Sequence, residues 1–121
     1  MLNEESMFKA GIVRLVLAKE VDEALNMLSE HYHVDKPKLK VGMPKRYKSK
    51  AGCYVAKTKT IHVNSREMLG TPFVILHEFY HHLRTQDERH KGTEKYANRF
   101  AEDFIKAYKS TYTYTFKISY E

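Results

Sequence analysis

Leu76-His77-Glu78-Phe79-Tyr80-His81-His82-Leu83 is the stretch on which the reading of this chain turns. It is an HExxH sequence inside an apolar run that takes in Phe73, Val74, Ile75, Leu76, Phe79, Tyr80 and Leu83. These positions surround a helix almost completely, and a helix that is hydrophobic all round is a buried one. Just before it, Gly70-Thr71-Pro72 supplies a start signal, with Thr71 as N-cap and Pro72 at the first helical position. On such a helix His77 and His81 lie one turn apart on the same face, so both imidazoles reach one ion. Glu78 projects from an adjacent direction, placed to touch a water on that ion without becoming a ligand. Two histidines and a glutamate on a buried helix are costly without partners. That cost favours a metal site over the alternative, a pair of core histidines satisfied by hydrogen bonds. His82 lies roughly 140° around the helix from His77 and cannot join the same site; it reads as a supporting or structural residue.

A zinc site that retains an open position needs a third protein donor. The extended HExxHxxGxxH pattern is absent, because Arg84 and Asp87 occupy its glycine and third-histidine positions. After a polar connector from Arg84 to Gly92, Thr93 reads as the N-cap of a second helix. Tyr96, Ala97, Phe100, Ala101, Phe104, Ile105 and Tyr108 then recur at helical spacing. Glu94 opens that helix, with Asn98 on the same side and the small Ala97 and Ala101 beside it, which lets two helices approach closely. Glu94 is therefore the candidate third ligand; the plainer alternative is an acid that serves only the helix dipole. His90, in the connector, is the competing donor. Asn98 is a candidate to accept the free ring N–H of His77 or His81, against an ordinary surface asparagine.

The segment Glu94-Lys95-Tyr96-Ala97-Asn98-Arg99-Phe100-Ala101, downstream of HExxH, resembles the ExxANxFA segment of the ImmA/IrrE-type metallopeptidases. It is also similar to the wider gluzincin group, in which a glutamate helix supplies the third zinc ligand. Ala51-Gly52 and Thr60-Ile61-His62-Val63-Asn64 resemble the strand pair that precedes the active-site helix in that family. The chain's size matches the short single-domain gluzincins called minigluzincins. One departure stands out: Tyr80 occupies the position before the second histidine, where the family commonly has glycine. The resemblance implies a zincin-like α+β fold and a zinc-dependent peptidase with metal ligands His77, His81 and Glu94. It assigns the general base to Glu78.

At 121 residues with 42% apolar content, the chain is expected to form one domain spanning residues 1–121. No apolar run reaches the roughly 18 residues that a membrane-spanning helix needs. The N-terminus lacks the basic start of a secretory signal. The single Cys53 excludes an internal disulfide and a four-cysteine zinc structure. A cytoplasmic location is the expectation. The net charge of +6 is concentrated in Lys36, Lys38, Lys40, Lys45, Arg46, Lys48 and Lys50. Such a segment is either a solvated strand and loop or a face for nucleic acid or an acidic substrate.

Residues 4–31 read as one or two helices, with Ile12, Val13, Val16, Leu17, Val21, Ala24, Leu25 and Leu28 forming a stripe that would cover a sheet. His31 and His33 are expected to be solvated. Leu39 and Val41 alternate with lysines as a half-exposed strand. A hairpin comes next, with arms 53–56 and 60–64 joined by a turn at 57–59. One arm is the candidate edge for an extended peptide bound as an added strand, and His62 either lines that cleft or is an ordinary strand histidine. Tyr112, Tyr114, Phe116, Ile118 and Tyr120 alternate strictly, which predicts that residues 110–121 form a C-terminal strand tail. Such a tail would complete the sheet, block the cleft so that the enzyme is latent, or cross to a second molecule in a homodimer.

The fold expected is thus α+β and zincin-like. An N-terminal helix packs on a small mixed sheet, followed by the HExxH helix, a glutamate helix and the strand tail. The expected activity is hydrolysis of peptide bonds in a peptide or protein substrate by zinc-activated water, with His90 or a tail tyrosine as candidates to steady the oxyanion. The alternative is a metal-stabilised module that binds nucleic acid or a protein partner with little catalysis.

Overall fold

The computed structural model describes residues 3–86 and 93–120, and of 113–120 the backbone alone. Helix α1 (Glu4–Leu17) is capped by Asn3, whose side chain accepts the Ser6 N–H at 2.8 Å, and it carries Glu4 and Glu5 in its first turn. Both devices satisfy or complement the otherwise unpaired N–H groups of a helix start. Lys19, left-handed at φ 62, turns the chain into α2 (Val21–Tyr32), which closes on His33 at φ 58. Of the one or two helices expected over residues 4–31, the chain forms two.

Three strands form one mixed sheet in the order β1-β3-β2: β1 is Lys38–Val41, β2 is Gly52–Val55 and β3 is Thr60–Val63. β1 runs parallel to β3, with Leu39 opposite Ile61, and β2 runs antiparallel, with Tyr54 opposite Ile61. The hairpin turn closes where the Lys59 N–H meets the Ala56 carbonyl at 3.2 Å, with Lys59 at φ 52. β3 is central, and its Ile61 and Val63 are fully buried. Lys38 and Lys40 are exposed on the outer strand β1, a charge pattern that discourages pairing with another chain.

Helix α3 (Pro72–Gln86) carries the HExxH residues and lies between the sheet and α4 (Glu94–Tyr120). Its Ile75, Leu76, Phe79 and Leu83 are fully buried. At about 1.5–3 kcal/mol for each such side chain, this burial is what fixes α3 in place. Thr93 caps α4 by accepting the Tyr96 N–H at 3.3 Å. Ala97 and Ala101, both at 0% exposure, bring α4 close against α3, as their small size predicted.

Two expectations are corrected. The N-terminal helix packs chiefly on α4, not on the sheet, with Phe8 and Phe104 ring centroids 6.4 Å apart; α3 is the helix that covers the strands. The C-terminal tail is not a strand: the helix begun at Glu94 runs through to Tyr120. From Thr93 onward the chain contains no glycine or proline to stop it. Phe104, Tyr108 and Tyr112 also keep a four-residue spacing that the strict alternation further on obscures. Extending an existing helix costs far less than ordering a new strand that still needs a partner. The tail adds no strand to the sheet, so edge blocking and strand exchange lose their structural basis. The α+β class holds. Among the described residues, no helix is long and apolar enough to cross a membrane.

Candidate metal centre

The turn of α3 that bears His77, Glu78 and His81 faces the first turn of α4, and the side chains converge. His77 Nε2 lies 3.0 Å from Glu94 Oε2, and His81 Nε2 lies 2.7 Å from Glu94 Oε1. The two Nε2 atoms are 3.3 Å apart. Two atoms bound to one tetrahedral zinc at about 2.0–2.1 Å stand about 3.3 Å from each other. The imidazole pair thus has the spacing a shared ion demands, and the Glu94 carboxylate spans both rings. The donor set, two nitrogens and one carboxylate, is one that divalent transition metals accept, zinc and iron among them. The Glu78 carboxylate joins the same group, with one ligand atom each from His77, Glu78 and His81 lying within 4.8 Å of one another.

The electrostatics separate the roles. Burial, then repulsion from Glu94, pushes Glu78 up to about 7, with Lys50 acting against them. Burial likewise lowers His81, with Glu94 opposing and the charges of His77 and Arg84 assisting, so its imidazole is held neutral, the form that ligates a metal. At Glu94 slight burial raises the carboxyl, but the two imidazoles and their hydrogen bonds outweigh it and keep the group ionised. The Cys53 thiol, buried beside Glu78, is raised by burial and then by that carboxylate, which keeps it protonated.

The surroundings are built by β2 and α3. They wall a cleft of about 290 Å³, with Lys50, Gly52, Cys53, Tyr54 and Ala56 on one side and α3, as far as Arg84 and Thr85, on the other. Gly52 sets their distance. A Cβ there would stand 2.9 Å from Val74 Cγ1, 3.1 Å from the His62 carbonyl oxygen and 3.5 Å from Glu78 Cγ. No side chain fits, so glycine is what lets the strand lie directly against the helix at Glu78.

His82 is fully buried, turned from His77 toward β2, and takes no part in the metal group. It is hydrogen-bonded at both ring nitrogens, to the Tyr54 hydroxyl at 2.7 Å and the Asp35 carbonyl at 2.6 Å. His77 Nδ1 is buried without a hydrogen-bond partner, so the contact from Asn98 to that ring is not made. His62 bonds the Gly42 carbonyl through Nδ1 at 3.0 Å and does not line the cleft. His31 and His33 are exposed, as expected, and the lysines of 36–50 are exposed too. His90 and the side chains of the tail tyrosines beyond Tyr112 lie outside the described residues. Sequence reasoning passed over Lys50, Tyr54 and Arg84 as lining residues. Arg84 alone carried a usable signal, since it stands one turn beyond His81 on the same helix face.

Compared with protein-family models, with characterised proteins and with solved structures, the chain gives no significant match in any of the three.

Proposed function

We propose that this protein is a zinc-dependent metallopeptidase of the single-domain gluzincin kind, with a zincin-like fold and with His77, His81 and Glu94 as metal ligands. The observation that carries the reading is the 3.3 Å separation of the two imidazole Nε2 atoms, with both within hydrogen-bond distance of one carboxylate drawn from another helix. A bound zinc supplies Lewis acidity, which makes water a nucleophile near neutral pH and polarises a carbonyl.

The chain's own residues do the remainder. Glu78 takes the proton as water attacks the scissile carbonyl and delivers it to the leaving amine. β3 is paired on both sides, which leaves β2 as the hairpin arm with a free edge among the described residues. β2 also forms one wall of the cleft, so an extended peptide docks along it by main-chain hydrogen bonds. Gly52 keeps that edge within reach of Glu78. A purely structural or nucleic-acid-binding role gives no reason to bury a carboxylate beside the metal ligands at such cost.

The test is metal analysis of the purified protein, followed by digestion of casein or a mixed peptide pool. Wild type is expected to bind one zinc and cleave; Glu78→Gln keeps the zinc and loses cleavage. A protein that takes up no zinc, or a Glu78→Gln variant with full activity, refutes the proposal.

A further inference from the structure

The cleft holds a positive charge that no described carboxylate neutralises. Arg84 lines it one turn beyond His81, and its Nε is buried without a hydrogen-bond partner. Among the described residues Arg84 forms no ion pair, because the nearby carboxylates are committed elsewhere. Glu94 spends one oxygen on His77 and the other on His81, and Glu78 is buried at the centre of the site. A guanidinium that lines the cleft with no described carboxylate paired to it offers its charge and its N–H donors to an acceptor that a ligand brings.

Its placement shows what that ligand is. Gly52 lies against Val74 and Glu78, while Tyr54 reaches His82, so β2 and α3 run in the same direction along the cleft. A peptide stretched along β2 therefore passes the histidines and Glu78 and meets Arg84 just beyond them. We propose that Arg84 forms a carboxylate-recognition subsite, so that peptides with a carboxylate next to the bond at the metal centre are preferred. This deepens the peptidase reading and rests on it. The planar guanidinium grips a carboxylate through two parallel N–H···O bonds, a geometry that an amide matches poorly. The chain's net charge of +6 assists the encounter with acidic peptides. The carboxylate has two possible sources: an Asp or Glu side chain, or the free C-terminus of the peptide.

The experiment separates these sources and is read by binding as well as cleavage. Fluorescent peptides carrying Glu or Gln at successive positions, each with a free-acid or an amidated C-terminus, are titrated by anisotropy against the zinc-loaded Glu78→Gln protein. The same set is offered to wild type for cleavage. A carboxylate at the subsite is expected to tighten binding roughly ten- to a hundredfold over its amide counterpart. Dependence on the position of Glu marks a side-chain source, and dependence on the C-terminal acid marks the peptide end. Adding Arg84→Gln is expected to abolish the preference with zinc content unchanged, and Arg84→Lys to retain part of it. Should Arg84→Gln fail to fold, the graded loss in Arg84→Lys carries the test. Equal binding of acid and amide peptides, or a preference that survives the loss of Arg84, overturns the proposal. Peptides bound with the expected preference but never cut by wild type would instead remove the peptidase reading and leave the subsite standing.

Discussion

The Tyr54 hydroxyl and His82 Nδ1 are 2.7 Å apart, a bond that ties the cleft-lining strand β2 to the helix carrying the candidate metal ligands. On its other side the same imidazole meets the Asp35 carbonyl at 2.6 Å, on the chain leading into β1. A carbonyl only accepts, so Nε2 carries the proton and Nδ1 accepts from tyrosine, which fixes the tautomer. His82 has no exposure, so removing one partner leaves an orphaned polar atom. Tyr54→Phe is expected to lower stability by about 1–3 kcal/mol, read from urea unfolding. It should also raise KM more than it changes zinc affinity, because the wall moves and the ligands do not. A variant as stable as wild type would show that this link is dispensable.

The same residue gives the fold a sensitivity to acid. Burial lowers the His82 pKa from 6.5, with the Asp35 carbonyl opposing the shift. Because the folded value lies below the unfolded one, the unfolded chain binds the proton more readily. The contribution of His82 is complete above about 6.5 and is lost as the pH falls toward and through the lowered folded value. His82→Gln is expected to be less stable near neutrality and to lose less on acidification, which unfolding curves at several pH values will show.

Glu78 works in the opposite direction. Its pKa is raised from 4.5 to about 7 in the fold, chiefly by burial. Its stabilising share is complete below about 4.5 and is lost as the pH rises through about 7, a difference of about 3 kcal/mol across that window. With zinc removed by a chelator, Glu78→Gln should therefore gain on wild type between pH 5 and pH 8. Taking the difference between the two proteins cancels the histidine contributions, which both share. Parallel stability curves for the pair would show that Glu78 is not held in a desolvated site.

Gly52→Ala tests how tightly strand and helix must close. The new methyl meets Val74 Cγ1 at 2.9 Å, which can yield, and the His62 carbonyl oxygen at 3.1 Å, which belongs to the sheet and cannot. Overpacking of this kind costs about 1–3 kcal/mol. Peptide cleavage is expected to fall while zinc binding is kept, and adding Val74→Ala should restore only part of the loss. Full restoration by Val74→Ala would mean that the backbone contact carries no weight.

Local spacing made the largest part of the site legible in the sequence. His77 and His81 share a face because a helix repeats every 3.6 residues, and Thr93 caps α4 because its side chain reaches only a few residues ahead. Glu94 was legible one step further out, because Ala97 and Ala101 mark the face on which α4 meets α3. Relationships set by packing between distant segments stayed hidden. Tyr54 reaches His82 only once the hairpin lies on α3, and Lys50 lines the cleft only because Gly52 brings β2 in. Nor does any local rule state that α1 prefers α4 to the sheet, since an apolar stripe on a helix does not name its partner.

The tail misled for a different reason: two periods coexist in it. Tyr112, Tyr114, Phe116, Ile118 and Tyr120 alternate as a strand would, while Phe104, Tyr108 and Tyr112 repeat as a helix does, and the structure follows the helix through Tyr120. The outcome rests on continuity, since no breaker interrupts α4 and a strand here would have to find its own partner. Thr111→Pro is a direct probe. Proline removes a helical N–H and clashes with the preceding turn, at a cost of about 3 kcal/mol within a helix. It is expected to reduce the helical circular dichroism signal by unravelling the last turns of α4, and deletion of residues 113–121 should reduce it to a similar extent. If neither change alters that signal, the segment is not helical in solution, and a strand along the substrate edge returns as the arrangement to test.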